Sequence, residues 1–247
     1  MSTALQIETT LATELQLACQ VQSSLLPQRN CCLGSWMFAF SYEPAAAVGG
    51  DYVDLIRLDS GDFYFALGDV SGKGIAASML MSHLHATLRA LVSAGMGLEE
   101  IMKNTSMHFC QSSLPAQFAT LVLGRADQSG NVQLVNAGHT PVLLSNGKDV
   151  EIIEATGVPL GLFCRTDFKI VRFQVRRRSS LVIYSDGISE SRDATGMEDG
   201  LDRLIGDLQA NHHLFPQAIV EEISGKVAQF TGHSPLADDR SILVLAR

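Results

Sequence analysis

The chain returns four times to one arrangement, a short apolar run with an aspartate at one end. Phe63-Tyr-Phe-Ala-Leu67 runs into Gly68-Asp69-Val70-Ser71-Gly72-Lys73-Gly74, and Leu181-Val-Ile-Tyr184 runs into Ser185-Asp186-Gly187. Gly49-Gly50-Asp51 opens the run from Tyr52 to Leu58, and Ala237-Asp238-Asp239-Arg240 opens Ser241 to Leu245. Short apolar runs bounded by glycine and aspartate read as buried strands. A carboxylate at the end of a core strand is costly unless it is paired or bound to a cation. A single one reads as a solvated turn. Four that converged from distant parts of the chain would repel one another unless cations neutralised them. Ligation by oxygen alone suits Mg²⁺ or Mn²⁺ better than zinc, which favours nitrogen and sulfur. A nucleotide P-loop is excluded. Gly68 and Gly72 enclose three residues where that motif needs four, and Gly74 stands in place of its metal-binding hydroxyl.

The rest of the pattern alternates strands with two groups of helices. Leu11, Leu15, Ala18, Gln22 and Leu25 step by three and four, predicting a helix over 8–26 that Pro27 ends. Strands are expected at 36–42, 51–58 and 62–68, the last two joined by a hairpin turn at Asp59-Ser-Gly-Asp62. One-sided helices follow over 75–91 and about 98–110. Further strands fall near 118–124, 132–136, 142–145, 150–153, 168–175 and 180–185. Helices at about 198–210 and 215–230 precede a closing strand at 241–246. Many strands joined by hairpins, with helices in two groups, indicate an α+β fold. The run Arg176-Arg177-Arg178 reads as a solvated hairpin tip between strands. Nothing between the motifs resembles a linker, so residues 28–247 read as one domain, preceded by a helical segment over 1–27.

Gly49-Gly-Asp-Tyr-Val-Asp54, Gly68-Asp-Val-Ser-Gly-Lys-Gly74, Asn136-Ala-Gly-His139, Tyr184-Ser-Asp-Gly187 and Asp238-Asp-Arg-Ser241 resemble, in order, motifs of the bacterial PPM (PP2C-like) serine/threonine phosphatases of the sporulation-phosphatase (SpoIIE) and RsbU type. The resemblance covers the chain from about Ser24 to its end. It implies a four-layer α-β-β-α sandwich, two antiparallel sheets flanked by helices, with a metal cleft at one end of the sheets. It also implies two Mn²⁺ or Mg²⁺ ions. The position matching Asp69 bridges both, the carbonyl of Val70 binds one, Asp186 and Asp238 complete the ligand set of the second metal, and Asp51 orients metal-bound water. Asp239 and Asp54 are each as readily turn or capping residues as ligands. The implied activity is dephosphorylation of a phosphorylated protein, on the family's pattern an anti-sigma-factor antagonist in a partner-switching pathway. A helix at the place of residues 1–27 commonly serves regulation or homodimer formation in this family. Two other readings stay open: a pseudo-phosphatase scaffold, which should have lost metal carboxylates, and a hydrolase of small phosphoesters. Lys73, His139 and Arg240 are candidates for phosphate or leaving-group contacts, although His139 more readily orders its own loop and Arg240 reads as an exposed ion-pairing residue.

A net charge of −8 argues against nucleic acid as partner, because phosphate binding needs clustered positive charge. No stretch approaches the ~18 consecutive apolar residues of a membrane span, and no signal peptide is visible at the N-terminus. The five cysteines lack disulfide-framework or C-x-x-C spacing, so reduced thiols and a cytoplasmic location are expected.

Overall fold

The computed structural model describes residues 2–193, 195–232 and 236–247. Helix α1 (Ser2–Leu25) leads into β1 (Asn30–Leu33), β2 (Trp36–Glu43), β3 (Tyr52–Arg57) and β4 (Phe63–Val70). Helices α2 (Gly74–Ser93) and α3 (Leu98–Ser112) follow, then β5 (Ala119–Ala126), β6 (Asn131–Ala137), β7 (Val142–Asn146), β8 (Asp149–Ile153), β9 (Val171–Gln174) and β10 (Ser179–Tyr184). A short α4 (Asp186–Ser189), then α5 (Leu201–Asn211), α6 (Pro216–Thr231) and β11 (Arg240–Ala246) complete the chain.

The strands form two antiparallel sheets, in the orders β1-β2-β11-β10-β7-β8 and β3-β4-β5-β6-β9. Strand periodicity explains the layering. Along β4, Phe63, Phe65 and Leu67 face the opposite sheet, where they meet Phe38, Leu181 and Leu243. The alternate residues Tyr64, Ala66 and Val70 pack under α2 and α3, against Met81, Leu84, Leu88 and Ile101. The other sheet turns Val182, Tyr184, Ile242 and Val244 toward Leu204, Leu208, Ile219 and Ile223 of α5 and α6. Both faces of β4, β10 and β11 are therefore covered, which is why these strands read as unbroken apolar runs. The result is the expected α-β-β-α sandwich. Helix α2 is long and apolar enough to cross a membrane, but its apolar face, Ala77, Met81, Leu84, Leu88 and Val92, is buried on the sheet.

The structure corrects several local expectations. The Arg176–Arg178 turn is no hairpin tip, because β9 pairs with β6 in one sheet while β10 pairs with β7 and β11 in the other. The segment is a crossing between sheets. Cys110 and Cys164 are joined in a disulfide, with Cα atoms 5.2 Å apart, while Cys19, Cys31 and Cys32 are free thiols. The expectation of five reduced thiols therefore fails for the pair that ties the end of α3 to the loop after β8. In α1 the stripe stepping by three and four is split. Leu15, Ala18 and Leu25 are half-buried, whereas Leu11, Leu17 and Val21 are exposed. Gln22, in the same stripe, is buried on the domain.

Candidate metal centre

The ends of β3, β4, β10 and β11 that carry the aspartates all open at the same end of the sandwich. Asp51 precedes β3, Asp69 is the penultimate residue of β4, Asp186 begins α4 directly after β10, and Asp238 precedes β11. Alternation carries Asp69 to the same side as Phe63, Phe65 and Leu67, between the sheets at their rim. These residues share one electrostatic environment. Burial, reinforced by the charges of Asp186, Asp238 and Asp239, pushes the Asp69 carboxyl up to about 7, and Lys73 only partly opposes the shift. Burial first, then the Asp238 charge, raises Asp186.

Asp51 is the most exposed to this conflict. It is 1% accessible, and neither carboxylate oxygen has a hydrogen-bond partner. Its ionisation is raised well above the usual carboxylate range by burial and then by the Asp69 charge. The hydroxyls of Ser241 and Ser185 lie near enough to ease it, yet neither reaches it with good hydrogen-bond geometry, and Ser241 Oγ is itself unpartnered. A buried carboxylate with both oxygens unsatisfied violates the general rule for buried polar groups and fits a cation ligand. The backbone makes room beside it. A Cβ on Gly50 would lie 2.7 Å from the carbonyl oxygen of Val70 and 3.5 Å from Asp69 Oδ1, so only glycine allows that approach. Gly187 serves the same purpose across the cleft, where a Cβ would collide with the Asp239 carbonyl.

Among the described residues, no three His, Cys, Asp or Glu side chains are drawn tightly enough together to close a metal shell alone. Asp69, Asp186 and Asp238 instead line a cleft of about 420 Å³ together with Ser71, Lys73, Thr120, His139 and Glu190, with Asp51 buried behind it. An ion held here would complete its coordination with a main-chain carbonyl and water, a habit of Mg²⁺.

The remaining expectations divide. Asp54 is fully buried on the helix-facing side, where Arg89 grips it with two bonds of 2.8 and 2.7 Å and Tyr52 Oη donates a third of 2.8 Å. It is a structural ion pair, apart from the cleft. Asp239 accepts from the main-chain N–H groups of Ala45 at 2.7 Å, Gly50 at 2.6 Å and Asp51 at 3.3 Å. Both of its oxygens are spent on the loop that delivers Asp51. Lys73 Nζ stands 3.1 Å from Asp238 Oδ2 and also bonds the Ala237 carbonyl. Arg240 is buried rather than exposed and donates to Thr231 Oγ1. His139 is held by its loop: its N–H donates to Asn136 Oδ1 at 2.8 Å, and the Asn136 amide donates to the Thr140 carbonyl. Burial lowers its imidazole to about 4, so the ring is neutral at physiological pH, and Nδ1 lies 2.7 Å from Thr120 Oγ1.

Three residues to which pattern reading gave no part in the site also shape it. The Gln22 side chain brackets Gly49, its Nε2 donating to the Gly49 carbonyl at 2.7 Å and its Oε1 accepting from the Gly49 N–H at 3.1 Å. Cys19 Sγ donates to the Ala47 carbonyl in the same loop. Tyr42, whose buried hydroxyl has no partner, is held far toward its neutral form by burial and by the charges of Asp239, Asp51 and Asp69. A glutamine interrupting an apolar helical stripe was the one available signal for the first of these.

Comparison with known proteins agrees with this geometry. Residues 59–247 match the family described as Stage II sporulation protein E (SpoIIE). Protein IcfG of Synechocystis is 27% identical over 87% of this chain, and phosphoserine phosphatase RsbU of Bacillus subtilis is 25% identical over 98% of it. The chain spans 39% of IcfG and 72% of RsbU, and 33% of the stage II sporulation protein E of Priestia megaterium. Among solved structures, the SiaA-PP2C domain of Pseudomonas aeruginosa superposes with a TM-score of 0.86 at 18% identity, over 98% of both chains. RsbX in complex with magnesium superposes at 0.64 with 13% identity, over 89% of this chain and 96% of that one. The motif order, the double sandwich and the family match lead to one assignment: the chain belongs to the SpoIIE family and carries a PP2C-type fold.

Proposed function

We propose that this chain is a metal-dependent phosphatase that removes phosphate from serine or threonine of a regulatory protein. The observation that carries the reading is Asp51, buried with both carboxylate oxygens unpartnered among three further carboxylates. Asp51, Asp69, Asp186 and Asp238, with the Val70 carbonyl, would hold two Mn²⁺ or Mg²⁺ ions, and Asp239 would fix the loop instead of ligating. When bound, such ions would acidify water and offset the charge of an in-line displacement at phosphorus. The chain's own part is to hold four carboxylates at fixed strand ends, exclude side chains from the approach through Gly50, and keep His139 neutral. Burial lowers the His139 imidazole to about 4, which opposes a role as a protonated general acid near neutral pH. Lys73, already at the cleft and paired with Asp238, is the cationic side chain placed to meet an incoming phosphate.

The substrate class is argued from relatives. RsbU and RsbP of Bacillus subtilis are named phosphoserine phosphatases, which favours a phosphorylated anti-sigma-factor antagonist or a similar small domain in a partner-switching pathway. Helix α1 is the proposed regulatory element. It exposes Leu11, Leu17 and Val21 to a partner helix, including that of a second copy, while Gln22 connects it to the Asp51 loop. The test is release of phosphate from a phosphoserine protein of this class, with Mn²⁺, with Mg²⁺ and with chelator. Activity should require a cation and should vanish in Asp51→Asn and Asp186→Asn. Full turnover in chelator, or in either variant, would overturn the assignment.

A further inference from the structure

A second cleft, of about 660 Å³, lies at the opposite end of the sandwich, where the crossing segment Arg176–Arg178 faces the α5–α6 turn. Strands β10 and β11 run from one cleft to the other, so at ~3.3 Å per residue the two are separated by roughly 20 Å. No aspartate or glutamate lines this second cleft, although the chain as a whole carries a net charge of −8. Among the described residues, the side chains of Arg176, Arg177 and Arg178 make no ion pair or hydrogen bond. Arg247, also in the lining, is already spent on the carbonyls of Ser129 and Gln128. The three free guanidinium groups are thus not balanced by carboxylates within the fold.

The turn that carries them is fixed. Arg178 N–H donates to the Arg247 carbonyl at 2.6 Å and Ser179 N–H to that of Arg176 at 3.2 Å. Arg178 also holds a φ of 65°, a strained value for a side chain of this size. Three like charges concentrated on a pinned, strained turn are unlike a freely solvated loop tip. Opposite them stand His213 and the apolar side chains of Met37, Leu214 and Phe215, with Phe215 70% exposed. Guanidinium groups recognise phosphate oxygens in bidentate fashion, and an exposed ring offers a stacking surface for a flat organic group. The volume matches a small ligand, for which clefts of ~300–1,000 Å³ are usual.

We propose that this cleft binds an organic polyphosphate of nucleotide size, with its phosphates on Arg176–Arg178 and its ring system against Phe215. Calorimetric titration of the full chain in chelator, where the carboxylate cleft repels phosphate, tests the proposal with ATP, pyrophosphate and inorganic phosphate as probes. ATP should bind saturably, pyrophosphate more weakly and inorganic phosphate weakest. The double substitution Arg176→Ala/Arg177→Ala should weaken ATP about tenfold or more. Phe215→Ala should reduce ATP to the level of pyrophosphate without changing pyrophosphate itself. Arg178→Gly, which relieves the positive φ at that position, should lose ATP affinity while melting at or above the wild-type temperature, and so separates lost binding from lost folding. Absence of saturable ATP binding would overturn the proposal. So would unchanged affinity in both arginine variants, or binding of anionic lipid vesicles without binding of ATP.

Discussion

Asp69→Asn tests whether the carboxylate cluster is held together against its own repulsion. In metal-free protein the Asp69 carboxyl is raised from 3.8 to about 7. Below pH 3.8 both folded and unfolded chains hold the proton, and Asp69 costs nothing. Between pH 3.8 and about 7 the folded chain keeps a proton that the unfolded chain has released, so stability falls as pH rises. Above pH 7 the full penalty applies, roughly 4 kcal/mol at ~1.36 kcal/mol per pK unit. Because the charge is shared among neighbouring carboxylates and Asp69 is partly exposed, about 2 kcal/mol is the realistic share. The asparagine variant loses no hydrogen bond, since the Asp69 side chain makes none among the described residues, while Thr120 Oγ1 donates only to its main-chain carbonyl. In chelator at pH 8 the variant should therefore melt about 4–8 °C above the wild type, at ~2–4 °C per kcal/mol for a chain of this size. At pH 5 the gain should shrink to about a third. Saturating Mn²⁺ should reverse the order, stabilising the wild type by ~2.7 kcal/mol at one hundred times Kd and the variant hardly at all. Scanning calorimetry at both pH values reads each quantity. A variant that melts at or below the wild type in chelator at pH 8 would refute the electrostatic account of the site.

Three further substitutions address how the site is supported. Arg89→Ala takes the cation from the fully buried Asp54, which keeps the Tyr52 hydroxyl and the Leu55 N–H, and should cost about 3 kcal/mol, read as a lowered denaturation midpoint, with turnover per folded molecule unchanged at low temperature. Gln22→Ala strips the Gly49 N–H and carbonyl of their partner, at ~1–3 kcal/mol for each unsatisfied group. It should raise the Mn²⁺ dissociation constant by about tenfold or more in a calorimetric titration, and an unchanged constant would disconnect α1 from the site. Gly50→Ala sets a Cβ 2.7 Å from the Val70 carbonyl oxygen. It should abolish Mn²⁺-dependent thermal stabilisation while the metal-free melting temperature moves far less.

Local chemistry made most of the architecture legible, and its failures have two causes, short elements and distant contacts. Runs buried on both faces, such as Phe63–Leu67 and Leu181–Tyr184, stood out because nothing polar interrupts them. The four-residue elements β1 and α4 escaped, since so short a segment shows no period. The Arg176–Arg178 turn looked like a hairpin because two strands flank it, but which sheet each strand joins is settled by β6, β7 and β11, far away in sequence. Gln22 looked like one more position of a helical stripe, whereas its partner is Gly49, in a loop beyond β2. Arg240 beside two aspartates looked exposed, yet its partner Thr231 ends α6. Each error concerns a residue whose role depends on a contact outside its own element.

Asp51 and Asp54 show that part of this non-local information was nevertheless present. Three residues apart in one segment, they have opposite fates, and strand alternation separates them. Tyr52 and Ile56 belong to the face packed under α2, so Asp54, of the same parity, must point there too and requires a cation from a helix. Arg89 of α2 supplies it. Asp51 has the parity of Val53 and Leu55, which face the opposite sheet, and so does Asp69 relative to Phe65 and Leu67. The buried cluster in the layer between the sheets is built of apolar side chains. A carboxylate aimed at the rim of that layer has no helix to draw a cation from, and the counter-charge must come from solvent. Asp69 and Asp51 satisfy this criterion together, Asp54 fails it, and Asp239 meets it by parity with Ser241 and Leu243 but is withdrawn because three main-chain N–H groups reach it first.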